Sequence, residues 1–257
     1  TGTLSISGGT YTANYYSETN NAVSALQNWG TATVNDGTFT SKGVAVYASE
    51  WDRASTLTIT GGTFTGDFSA ILVTSDSSNT GGATNGNDVT VDISNATING
   101  DIGITDPDSG KNQALTVNVK SGTTVSGDLW TTQADNSQTK ITVDSGATVK
   151  PTENAAAKIG SVGYANLSSA IAAAGENDTI IVNNPLSLSQ TIAISKDITI
   201  DLNGKIITGN DVRAFHVKSG TLTLTGEGTV TSVKAEENGS LVDNSSVIRL
   251  SLIHISE

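Results

Sequence analysis

The sequence predicts an all-β protein, a parallel β-helix with three short strands per coil and one short helix near residues 166–174. Three observations predict it. The phrase TLTITGGTFTG at 56–66 alternates apolar and threonine positions, turns at two glycines and resumes the alternation. Near-copies recur along the chain: TLSISGGTYTA at 3–13, TATVNDGTFTS at 31–41, VTVDISNATING at 89–100, LTVNVKSGTTVSG at 115–127, ITVDSGATV at 141–149, ITIDLNGKIITG at 198–209 and TLTLTGEGTVTS at 221–232. Aligned on the corner residues Gly9, Gly37, Gly62, Ala96, Gly122 and Ala147, the copies step by 28, 25, 34, 26 and 25 residues, a range that signals a solenoid.

Composition points the same way. With 36% hydrophobic and 5% aromatic residues and no methionine, a compact helical core is hard to stock. Short two-periodic strands with small turns suit it better. Between corners each repeat carries a further apolar run: AVSALQNW at 22–29, GVAVYASEW at 43–51, SAILVTS at 69–75, DIGIT at 101–105 and DLWTT at 128–132. That makes three strands per coil. Stacked at about 4.8 Å, such coils align inward Val, Ile and Leu in columns and outward threonines in rows. Leu57, Ile59, Val89, Val91, Leu115, Val117, Ile141 and Val143 are therefore expected inside. The insert at 77–88 accounts for the 34-residue step.

Residues 1–150 read as a first β-helix that begins within a repeat phrase. PTENAAAK breaks the alternation, so 151–159 reads as a linker. In NLSSAIAAAG at 166–175, Leu167, Ala170, Ile171 and Ala174 share a helical face, with Asn166 as N-cap and Gly175 as stop. Strand patterns then resume at 178–182, 191–195, 198–202, 205–209, 214–217, 222–226 and 229–232. Residues 160–249 thus read as the start of a second β-helix, its apolar first coil capped by the helix. LSLIHISE at 250–257 resembles a translated transposase-type sequencing adapter, as expected of a metagenomic fragment, and is set aside from the fold.

VGYANLSSAIAAAGENDTIIV followed by ITIDLNGKIITG resembles the opening of pectate-lyase-like right-handed parallel β-helix domains in large bacterial surface proteins. The GGTF-type repeats resemble the adhesin-like stalks of the same group. The resemblance implies the fold and an extracellular or cell-surface setting, without a specific reaction.

The net charge of −12 repels nucleic acid, anionic membranes and acidic polymers. There are no cysteines, which excludes disulfides and thiolate metal sites. No stretch approaches the roughly 20 apolar residues of a membrane helix, so no direct insertion is expected.

The fold implied by the resemblance hosts lyases and glycosidases, so catalysis is tested first. Asp211, Arg213 and His216 come nearest to a site, but alternation in AFHV puts His216 on the face opposite Phe215 and Val217. Asp67, Asp101 and Asp128 follow one corner, in GDF, GDI and GDL, with Lys42 one coil earlier. Stacked, they would make a shallow calcium ladder; as turn residues accepting backbone hydrogen bonds, the preferred reading, they bind nothing. DPDSGKN at 106–112 and GGATNGND at 81–88 are calcium-loop look-alikes that read as turns. Trp29 and Trp51, with Tyr47 nearby, end corresponding strands; exposed, they would stack on sugar faces, while in the preferred reading they pack under a corner loop. A threonine lattice of the ice-binding kind is disfavoured by the uneven steps. The expected function is a non-catalytic stalk or binding module for glycans or cell-surface proteins, needing no cofactor; the alternative is a carbohydrate-active β-helix enzyme whose catalytic coils lie elsewhere.

Overall fold

The computed structural model describes residues 2–14, 23–50, 53–75, 87–105, 113–131, 139–150, 154–233 and 247–250, with Val233, Arg249 and Leu250 described by backbone only. The chain is a β-solenoid divided into two compact units, 1–153 and 154–257.

In the first unit five complete coils and part of a sixth stack in parallel. They are β1 (Thr3–Ala13) and β2 (Ser24–Asn28); β3 (Thr31–Ser41) and β4 (Val44–Ala48); β5 (Ser55–Ile59), β6 (Thr63–Gly66) and β7 (Ser69–Thr74). Then come β8 (Val89–Ile93), β9 (Thr97–Asn99) and β10 (Ile102–Thr105); β11 (Leu115–Val119), β12 (Thr124–Ser126) and β13 (Leu129–Thr131); β14 (Thr139–Val143) and β15 (Thr148–Lys150). In the first two coils the first and second strands run on as one, bent at the glycine corner. The first sheet face runs β14-β11-β8-β5-β3-β1, the second β15-β12-β9-β6-β3-β1, and the third β2-β4-β7-β10-β13.

Register turns the alternation into columns. Ala32, Leu57, Val91, Val117 and Ile141 form one inward column, and Val34, Ile59, Ile93, Val119 and Val143 another. All are buried except Val143, half-buried on the last strand of its sheet. Each large aliphatic side chain so placed is worth about 1.5–3 kcal/mol, but only because a neighbouring coil covers it. In the second strands the inward column is Tyr11, Phe39, Phe64, Ile98, Val125 and Val149. Its rings stack at 4.7 and 4.8 Å, the strand spacing itself. Outward, Thr10, Thr38, Thr63, Thr97, Thr124 and Thr148 form an unbroken row.

The corner register corrects one alignment. In the first three coils the residue before that threonine is Gly9, Gly37 or Gly62, each with positive φ. In the fourth and fifth coils the left-handed residue stands two places before it: Asn95 (φ 51) and Gly122 (φ 79). Asn95 tolerates that conformation through its short polar side chain. Gly122 therefore matches Gly146, to whose carbonyl its N–H donates at 3.0 Å, rather than Ala147.

In the second unit, β16 (Ala157–Ile159) and β17 (Val162–Tyr164) form an antiparallel pair, and β16 also pairs antiparallel with β18 (Thr179–Val182). The segment read as a linker therefore ends in a strand; its residues 151–153 lie outside the described residues. The other strands are β19 (Leu186–Leu188), β20 (Ile192–Ile194), β21 (Ile198–Asp201), β22 (Lys205–Asn210), β23 (Phe215–Val217), β24 (Leu222–Thr225), β25 (Gly228–Val233) and β26 (Ile248–Leu250). They stack in three parallel sheets: β18-β21-β24, β19-β22-β25 and β20-β23-β26. Leu250 belongs to β26, although the adapter reading set it aside; 251–257 lie outside the described residues.

Helix α1 (Leu167–Ala173) packs on β16, β17 and β18. Leu167 and Ile171 are 2% and 4% exposed, as the shared apolar face requires. Asn166 Oδ1 accepts from the Ser169 N–H at 2.7 Å, the expected N-cap. Lys196 caps the other end, donating to the carbonyls of Ile171, Ala172 and Ala174 at 3.1, 3.4 and 2.6 Å. A cation there complements the helix dipole.

Candidate functional site

Several outward polar side chains of the first unit serve one another. Asn118 donates to Asp92 Oδ1 at 2.8 Å, and Thr142 donates to Asn118 Oδ1 at 2.6 Å. Asn99 donates to Thr65 Oγ1 at 3.3 Å, and Thr60 to Asn35 Oδ1 at 3.1 Å. Lys120 closes on Asp92 at 2.9 Å. Burial pushes the Asp92 carboxyl up, but the hydrogen bonds from Asn118 and Lys120, with the charge of Lys120, outweigh it and hold the group below its ordinary value.

The three corner aspartates are not equivalent. Between the Ser41–Gly66–Gly100 column and the Val46–Ile71–Ile102–Leu129 column, the second and third coils take four residues and the fourth takes one. Asp67 opens a long corner and pairs with Lys42 at 3.5 Å. Asp101 alone makes a short one, and its Oδ1 accepts from the Asp128 N–H at 2.8 Å. Burial, with the charge of Asp128, pushes the Asp101 carboxyl above its ordinary value, partly offset by that hydrogen bond. Among the described residues no three of His, Cys, Asp and Glu converge as a metal site. The two calcium-loop look-alikes, but for residues 87 and 88, lie outside the described residues.

Asp211 follows β22 with φ 56, and Arg213 lies between it and β23. Phe215 and Val217 are buried while His216 is half-buried on the other face, in register with Ala193 and Arg249. Burial pushes the Tyr164 hydroxyl to about 12, with the negative charge of Asp178 adding to the shift. A shallow cavity of about 210 Å³ is lined by Asn177, Asp197, Thr199, Thr221 and Thr223, but Asp197 Oδ1 is taken by the Thr221 N–H at 2.7 Å.

Trp29 is 49% exposed. Gln27 registers with Tyr47, so Trp29, just past the end of β2, lies one coil from Tyr47 and two residues further along the chain. Trp51 lies outside the described residues. The outward column through Tyr47 continues to Leu72, Gly103 and Trp130. It ends in an aromatic pair that the sequence reading passed over: Phe68, 41% exposed, meets Trp130 edge to face, centroids 6.3 Å apart and planes at 77°. A Cβ on Gly103 would collide with the indole, so the ring lies across β10 where the glycine leaves room. The signal was there: aligning VAVYAS, AILVTS, DIGIT and DLWTT by their inward residues brings Tyr47, Leu72, Gly103 and Trp130 into line. Comparison of the chain with protein-family models, with curated proteins and with solved structures gives no match.

Proposed function

We propose that the chain is a non-catalytic binding module carried on a β-solenoid scaffold, the adhesin-like stalk role that its repeats suggest, at a bacterial cell surface. The observation that supports this best is how the exterior is used. Asp92 is held by Asn118 and Lys120 from the next coil, and Asn99, Asn118 and Thr142 hydrogen-bond to side chains of neighbouring coils, which ties these outward polar groups into the scaffold. A stack of about six levels at 4.8 Å gives the first unit a stiff face some 24 Å long. Its acidic, threonine-rich surface keeps such a support from sticking to polyanions. No helix among the described residues is long and apolar enough to cross a membrane.

The test is an assay of the purified chain on polygalacturonan and on neutral polysaccharides, with calcium supplied, for unsaturated products and new reducing ends. The expected result is no turnover above a heat-denatured control. Turnover abolished by Asp211→Asn, Arg213→Gln or His216→Ala would replace the binding module with a β-helix lyase or glycosidase.

A further inference from the structure

The outer face of the third sheet differs from the other two. Where those present threonine rows, its outward column reads Tyr47, Leu72, Gly103 and Trp130. Leu72 faces outward yet is only 2% exposed, so side chains lie over it. The unequal corners account for the relief. The third coil takes three more residues at its corner than the fourth, and one of them is Phe68. Ser69 fixes this wider corner to the next coil, its hydroxyl donating to the Asp101 carbonyl at 2.8 Å. Phe68 thereby reaches past the short fourth coil to Trp130, on the fifth, and the two rings stand at 77°. Trp130 is a floor and Phe68 a wall, with Asp101 at the corner between them.

We propose that Trp130, Phe68 and Asp101 form a binding site for a neutral pyranosyl glycan. This rests on the binding-module reading and names its ligand class and place. A pyranose ring presents a C–H face and a rim of hydroxyl donors. The C–H face suits an indole whose other face rests on a strand, and the hydroxyls suit a carboxylate that holds acceptor capacity beyond its one backbone hydrogen bond. Acidic sugars are disfavoured by Asp101 and Asp128 together and by the net charge of −12. A protein partner would need roughly 800 Å² of its own surface covered. Two rings with the carboxylates of Asp101 and Asp128 beside them offer far less than an apolar interface core.

The chain has three tryptophans, so a Trp29→Phe/Trp51→Phe variant leaves Trp130 as the only indole reporter. Its emission is followed during titration with cellohexaose, xylohexaose, mannohexaose and, as the acidic control, hexagalacturonate. At least one neutral oligosaccharide is expected to give a saturable change, and hexagalacturonate none. Adding Phe68→Ala, or Phe68→Leu, which keeps bulk and removes the ring, is expected to weaken binding about tenfold. Circular dichroism confirms that each variant is folded. No change with any neutral oligosaccharide overturns the site. So does binding by the unaltered chain, read by calorimetry, that persists in Phe68→Leu and is lost in Trp29→Ala, but that outcome keeps the binding-module reading and moves it to the Trp29 corner. New reducing ends from a bound oligosaccharide would instead overturn the non-catalytic reading and leave the site standing.

Discussion

Gly62 stands with φ 98 at a corner where a Cβ would come within 2.8 Å of the Gly37 carbonyl. Backbone strain and a backbone collision then add, so Gly62→Ala is predicted to lose about 2–3 kcal/mol in denaturant unfolding. One coil on, that position is Ala96, because Asn95 has taken over the left-handed conformation. The doubled glycines made these corners legible in sequence, but the shift to Asn95 and Gly122 was not, since alanine and glycine look alike as corner residues until φ is known. Asp101 gives a second prediction. Its folded carboxyl is raised above the ordinary value of 3.8, so folding favours the protonated form. That contribution is fully present below the unfolded value and lost as pH rises through the folded one. Asp101→Asn keeps the Oδ1 acceptor and stays neutral. It is predicted to melt above the unaltered protein at pH 7, and at the same temperature once the pH is below 3.8. A lower melting point at pH 7 would show that the charge itself is needed there.

The second strands show how an element inherits its stability from its neighbours. Phe39 lies between Tyr11 and Phe64, fully buried, with ring centroids 4.7 and 4.8 Å away. Phe39→Ala opens a gap in the middle of this ladder and is predicted to cost about 3–5 kcal/mol. Urea unfolding checks it, and a loss under about 1 kcal/mol would mean that the column is not packed. The helix was legible from Asn166, its apolar face and the glycine after it. Its C-terminal cap was not, because Lys196 arrives from the bend between β20 and β21, more than twenty residues on, and only the coil geometry brings it there. The strands β16 and β17 escaped too. AKI and VGY are too short to show alternation, and the pairing of β16 with β18 protects a sheet edge that the helix alone was expected to cover.

At the scale of the molecule, repetition made the solenoid legible, since each copy of the phrase repeats the same inward positions. The candidate site was not legible because it lies where the repetition fails: four corner residues in one coil, one in the next, and a glycine beneath an indole. The site exists only if the register places those residues as neighbours. Thr63 and Thr97 are 34 positions apart, separated by the insert at 77–88, yet they are neighbours in one outward row, while Thr124 lies a further coil away. The chain has no cysteine, so pairs of thiols can be introduced without interference. The decisive measurement is cross-linking by dibromobimane, which fluoresces when both of its arms capture closely spaced thiols. Thr63→Cys/Thr97→Cys is predicted to cross-link readily in the folded protein and Thr63→Cys/Thr124→Cys to fail. Cross-linking of the second pair, or failure of the first in a folded variant, would contradict the parallel in-register stack.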